Sequence, residues 1–202
     1  MKRFWQIAIM LFGLLLVFPA CGDDDDDEDD NDLSWMPVEV DEAWKDVNLA
    51  AFSEKEKDES MEYIYSESGN GRILYKVLKE GEGTEPIYFT STVSCYYKGC
   101  YVTDEEGNRV ADLNNVLTEG EVFDSHLKED GDEPLTCTVG TEVVDGWATA
   151  LQHMHVGDVW EVWIPYSLGY GTTGERDYYG NVTKLPYTTL VFQIEVVEIV
   201  EQ

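Results

Sequence analysis

Two short stretches hold side chains that packing alone does not explain. Phe123 is followed directly by Asp124, and a carboxylate beside a core aromatic needs a polar partner. Tyr170 stands between Gly169 and Gly171, an odd setting for a core tyrosine. Trp147, Val144 and Phe192 fall on apolar faces and would be buried in any such fold. Such residue types suit chemistry done by a dry hollow with a few aimed hydrogen bonds, without nucleophile, metal or cofactor. The other chemistry-bearing sets are weaker. His153 and His155 flank Met154 and have no nearby cluster of carboxylates or thiols, so with Met154 inward both imidazoles point to solvent. Asp124-Ser125-His126 is contiguous, whereas a nucleophilic triad is assembled from residues distant in sequence. The chain has no Gly-x-Ser-x-Gly, no His-Glu-x-x-His and no phosphate-binding glycine loop.

A series of short motifs follows in one order: Tyr97-Lys98-Gly99, Phe123-Asp124-Ser125, Val143-Val144-Asp145-Gly146-Trp147, Met154-His155-Val156-Gly157, Ile164-Pro165, Gly169-Tyr170-Gly171 and Thr189-Leu190-Val191-Phe192. Upstream stand Tyr75-Lys76-Val77-Leu78 and Gly81-Glu82-Gly83. This series resembles the FKBP-type peptidyl-prolyl cis-trans isomerases over roughly residues 72–200. The resemblance implies an antiparallel half-barrel sheet wrapped on a short helix, with a proline pocket between them. It implies Tyr97, Asp124, Trp147 and Tyr170 as catalytic residues, and Phe123, Val143, Val144, Leu185 and Phe192 as substrate-binding neighbours. Trp147 would floor the pocket. The Val144 amide and the Tyr170 hydroxyl would hold substrate carbonyls, and Asp124 would sit near the Tyr97 hydroxyl. Three features depart from the family. Leu135 takes a pocket-wall place that is usually aromatic, the loop 172–186 is long, and the insertion 100–120 is expected to overhang the site.

The residue types suit that reaction on physical grounds. Twisting a planar amide costs about 18–20 kcal/mol, because resonance is lost. The twisted amide is less polar at its carbonyl, so a water-free pocket favours it over the planar form. A rate gain of about 10⁴ requires about 5.5 kcal/mol. X-Pro bonds are the natural target, since their cis form is accessible and their interconversion slow.

Elements must hold these residues in place. Ala43, Trp44, Val47, Ala50 and Ala51 recur at helical spacing and predict a helix over about 41–63, its charged part Ser53–Ser60 exposed. Ser66 to Gly71 is a turn cluster and sets the boundary of the main domain. Alternation then predicts strands: Ile73, Tyr75 and Val77 on one face, and Val93, Cys95 and Tyr97 on one face of a strand that stops at Gly99. Residues 100–120 read as an inserted loop or hairpin. Further strands are expected at Val122–Asp124, Leu135–Val139, Val159–Ile164 and Thr189–Val200, the last with Leu190, Phe192, Ile194 and Val196 inward. Asp145 is the expected N-cap of a short helix bearing Trp147, Ala150, Leu151 and Met154 on one face. Residues 166–187 read as a Gly- and Tyr-rich loop. One short helix among about five strands is an α+β fold, preceded by a helical N-terminal segment.

Composition bounds the partners. The chain has 202 residues, 43% hydrophobic and 12% aromatic, which excludes a wholly disordered chain. Its 42 acidic against 13 basic residues give a formal charge of −29, which disfavours nucleic acid. Lys2 and Arg3 followed by the apolar run Ile7–Phe18 read as an export signal over 1–20, too short for a permanent span. Phe18-Pro19-Ala20-Cys21 resembles a bacterial lipoprotein site with Cys21 lipidated; a plain secretory signal is the alternative. The acidic run after Gly22 makes residues 21–36 a tether, of which 22–36 fully extended would reach about 50 Å, or a surface-export signal resembling that of Bacteroidetes lipoproteins. Residues 37–70 form the helical segment and 71–202 the isomerase domain. Cys95 and Cys137 are expected as buried free thiols, beside Cys100.

These readings converge on an exported outer-membrane lipoprotein, on the periplasmic face or the cell surface. It would isomerise X-Pro bonds in proline-containing clients without cofactor. The alternatives are a catalytically weak binding module or chaperone of the same fold, and a surface lipoprotein whose acidic segment does the binding.

Overall fold

The computed structural model describes residues 33–202, and the expected signal segment 1–20, Cys21 and the acidic run lie outside the described residues. The first helix, α1 (Glu42–Lys55), is capped by Asp41, whose carboxylate accepts from the Ala43 and Trp44 amides at 2.9 and 3.1 Å. It ends eight residues before the expected Tyr63. Asp58 stops it, because its carboxylate captures the Ser60 amide and hydroxyl in a turn. The Tyr-Ile-Tyr that follows is strand, β1 (Glu62–Tyr65), paired with β2 (Arg72–Lys79). The boundary expected at residue 71 therefore falls between two strands of one sheet.

The central strand is β3 (Thr92–Tyr101), which continues two residues past Gly99. Its first half pairs with β5 (Leu135–Thr138) and its second half with β4 (Val122–His126). Its other edge pairs along its length with β9 (Leu190–Glu201), which in turn pairs with β6 (Val159–Ile164). The seven-stranded antiparallel sheet runs β1-β2-β6-β9-β3-β4, with β5 beside β4 along β3. A separate two-stranded sheet, β7 (Glu175–Arg176) with β8 (Val182–Lys184), occupies the segment expected as loop.

Alternation gives the sheet two buried faces. Ile73, Cys95, Val162, Ile164, Leu190, Phe192, Ile194 and Val196 face α3 (Asp145–Leu151) and bury Trp147, Ala150 and Leu151. Gly146 permits this approach: a Cβ there would lie 2.3 Å from Ile164 Cγ2. The N-cap of α3 is Val144, in extended geometry, and not Asp145, which is the first helical residue. Met154 is buried and His153 and His155 are exposed. Cys95, Cys100 and Cys137 are buried free thiols, and burial pushes Cys137 up to about 11.

The opposite face carries Leu74, Cys100, Trp163 and Val191. Covering it are α1, through Ala51, and the segment 102–119, through Val102, Val110, Leu113 and Val116, ending in α2 (Val116–Glu119). The insertion therefore covers the back of the sheet and does not overhang the site. Lys55 is buried rather than exposed, because its ammonium bonds Asp58 at 2.9 Å and Asn114 at 2.8 Å and lies 3.9 Å from Glu161. It also sits 5.4 Å from the Trp163 ring centroid.

Candidate active site

Four aromatic rings from four elements meet between α3 and the sheet. Trp147, on the first turn of α3, stands edge-on to Tyr97 of β3 at 5.1 Å and 88° and to Phe192 of β9 at 5.3 Å and 86°. Phe123 of β4 closes the circuit, 5.4 Å from Phe192. Gly99 makes room for it: a Cβ there would lie 2.7 Å from both the Phe123 and Phe192 rings. This is the physical reason for glycine in Tyr97-Lys98-Gly99.

Above these rings lies a cavity of about 440 Å³. Tyr97, Phe123, Asp124, Leu135, Val143, Val144, Trp147, Tyr170 and Phe192 all line it. Leu185 does not. It is half-buried, and its carbonyl accepts from the Thr188 hydroxyl at 2.8 Å. Lys184 lines the cavity instead, since adjacent residues leaving β8 face opposite ways.

Two polar groups sit among the rings of the cavity, the Tyr97 and Tyr170 hydroxyls, with Asp124 beside the first. The Tyr97 hydroxyl donates to Asp124 Oδ2 at 2.8 Å, which supplies the partner that a carboxylate beside Phe123 needs. Burial first, and then that bond, hold the Tyr97 phenol above the ordinary tyrosine range. Burial, followed by the charge of Glu175, pushes Tyr170 up to about 12, so its hydroxyl keeps its proton at neutral pH. The Trp147 indole N–H has no hydrogen-bond partner among the described residues. The Val144 amide, just ahead of α3, likewise donates to no described protein group. The cavity is thus an aromatic well with potential donors at Val144 and Tyr170 and with Asp124, Glu142, Glu175 and Lys184 as its charged lining. No group of three or more metal-ligating side chains occurs among the described residues.

Several neighbours escaped the sequence reading. His126 stacks on Tyr97 at 5.5 Å; alternation along β4 from Asp124 was its available signal. Tyr101 stacks behind Phe123 at 4.7 Å, and Trp44 of α1 packs edge-on to Tyr101 at 5.3 Å. Thr141, Glu142, Glu175 and Lys184 also line the cavity. The last two depend on a hairpin that no alternation announces.

Comparison with known proteins places the chain in a family. The family model described as "FKBP-type peptidyl-prolyl cis-trans isomerase" matches residues 90–197. The chain belongs to that family. It is 34% identical over 134 residues to the FKBP-type 22 kDa peptidyl-prolyl cis-trans isomerase of Escherichia coli, covering 66% of this chain and 52% of that one. It is 32% identical over 127 residues to the outer membrane protein MIP of Legionella longbeachae, covering 63% of this chain and 44% of that one. The chain thus spans about half the length of the curated relatives it matches. A solved peptidyl-prolyl cis-trans isomerase from Pseudomonas syringae shares the fold, with a TM-score of 0.57 at 23% identity over 82% of this chain and 99% of that one.

Proposed function

We propose that this chain is a peptidyl-prolyl cis-trans isomerase acting on proline-containing segments of exported polypeptides. The observation that carries the reading is the aromatic well over Trp147, with Asp124 bonded to Tyr97 at its edge. The prolyl ring rests on Trp147 between Tyr97, Phe123 and Phe192. The Val144 amide and the Tyr170 hydroxyl donate to substrate carbonyls, and Val143 and Leu135 complete the wall. Desolvation of the imide favours its less polar twisted form. The bound Tyr97–Asp124 pair fixes the edge of the well where the rotating carbonyl swings.

The test is a protease-coupled assay on an X-Pro tetrapeptide with the full chain. Acceleration by wild type, reduced in Asp124→Ala and Tyr170→Phe while both remain folded, is the expected result. No acceleration by wild type rejects the reading. One observation favours a second reading, a catalytically weak binding module or chaperone: Leu135, an aliphatic residue, forms the wall where the family places an aromatic one. Tight peptide binding without acceleration would select it.

The cellular setting we infer is export followed by membrane attachment through lipid on Cys21. The apolar run before Cys21 supports this, as does a relative named an outer membrane protein. Replacing Cys21→Ala should move the protein from the membrane fraction to the soluble one. Retention in the membrane would reject the lipid anchor.

A further inference from the structure

We propose that Arg176 is a positioning residue: it straps one wall of the pocket to residues 33–37 and so sets how tightly a client is held. The proposal rests on the isomerase reading of the pocket. The wall in question is the β7–β8 hairpin, whose two strands form a sheet apart from the seven-stranded one. A lone two-stranded hairpin is marginal in water, so something outside it must fix its place.

The two faces of this hairpin do different work. Successive strand residues point to opposite sides. Glu175, paired in register with Lys184, turns toward the cavity, and both line it. The Lys184 ammonium lies 5.2 Å from the centroid of the Tyr170 ring. Arg176, the next residue, turns away. Its Nη1 donates to the Gly180 carbonyl at 2.6 Å, its Nε to Met36 at 3.1 Å and its Nη2 to Pro37 at 3.3 Å. A second tie runs from the Leu33 amide to the Tyr178 carbonyl at 3.0 Å, with the Leu33 side chain packed against Gly180.

The choice of partners is informative. This chain carries 42 acidic side chains, yet Arg176 forms no ion pair among the described residues and spends its donors on three backbone carbonyls. One carbonyl belongs to the hairpin's own turn and two to the strap. A planar guanidinium can hold all three at once, while an ammonium on a flexible stem cannot match that fork. If the clamp opens, Glu175 and Lys184 leave the cavity rim, but Trp147, Tyr97, Phe123 and Phe192 stay on their own elements. The loss therefore falls on client binding and spares the twisting step.

The experiment compares full-chain wild type, Arg176→Lys and Arg176→Ala in steady-state isomerisation of an X-Pro tetrapeptide. Amide hydrogen exchange over residues 174–186 is measured in parallel. Arg176→Ala should raise KM by about fivefold with kcat within about twofold, and Arg176→Lys should recover only part of it. Exchange should speed up at the hairpin amides and stay unchanged in α3. Unchanged KM and exchange in Arg176→Ala would overturn the proposal. So would a fall in kcat with faster exchange throughout the sheet, which marks a general loss of structure. Should wild type itself prove inactive, the isomerase reading fails, and peptide affinity with hairpin exchange still decides the role of Arg176.

Discussion

Tyr97 and Asp124 are diagonal neighbours across an antiparallel pair, not direct partners. In the register Tyr97 faces His126 and Asp124 faces Gly99, yet the Tyr97 hydroxyl reaches Asp124 at 2.8 Å. The register places the two side chains on the same side of the strand pair, within reach of one another. The bond couples two strands at the rim of the well, so the two residues should act as one unit. Tyr97→Phe and Asp124→Ala should each lower kcat/KM about tenfold, and the double variant should lose little more than the worse single one. A double-mutant cycle in the protease-coupled assay measures this. Fully additive losses would show that the pair is not a unit.

Tyr170 offers a cleaner separation of packing from hydrogen bonding. Its ring packs against the front core, while its hydroxyl bonds no described group. Tyr170→Phe should therefore leave the melting temperature within about 2 °C and cost about fivefold in kcat/KM. Tyr170→Ala should lower both. Calorimetry alongside kinetics distinguishes them.

Lys55 joins three parts of the back face. Its ammonium ties α1 to Asp58, to Asn114 of the insertion, and toward Glu161 of β6. Lys55→Ala should cost about 2–4 kcal/mol, since it empties space and leaves Asn114 and Glu161 without their cation. Lys55→Met, which keeps the stem, should cost less. Urea unfolding with a shared slope gives both values. Peptide turnover per folded molecule should stay near wild type, because these groups lie across the sheet from the well.

Alkaline pH should weaken the fold through its tyrosines. Burial with a bond to Glu62 pushes Tyr75 up to about 12, Tyr170 rises to about 12, and Tyr97 stands higher than an ordinary phenol. In the unfolded chain all three titrate near pH 10. Between pH 10 and about 12 the unfolded state releases protons that the folded state keeps, so stability falls as pH rises. Below pH 10 these groups contribute no slope. Urea midpoints measured from pH 8 to 12 should be flat at first and then decline, less steeply in Tyr75→Phe.

The front of the molecule was legible because its periodicity is simple. Alternation in β3 and β9 gave Cys95, Tyr97, Phe192 and Ile194 their face, and the motif order gave the aromatic well. The back was misread for a physical reason. Leu74, Cys100, Trp163 and Val191 are the other half of the same strands, and an outward apolar residue is silent about what covers it. Their cover comes from α1 and from a polar-looking insertion whose few apolar residues, Val102, Val110, Leu113 and Val116, do not alternate. The β7–β8 hairpin was illegible because Gly174 and Gly180, at φ +62° and +83°, set its path where sequence shows only a flexible loop. Leu185 lies off the cavity for the same reason, with Lys184 in the lining through a one-residue change of face.

The doubly clad sheet also limits how the chain can be trimmed. A fragment cut to residues 90–197 would discard α1, β1 and β2, and would leave Trp163, Val191 and Cys100 only the part of their roof that segment 102–119 supplies. Such a piece would keep every ring of the well and still clump, offering a greasy underside to its neighbours. The helix capped at Asp41 is therefore part of the packed unit and not an appendage to it.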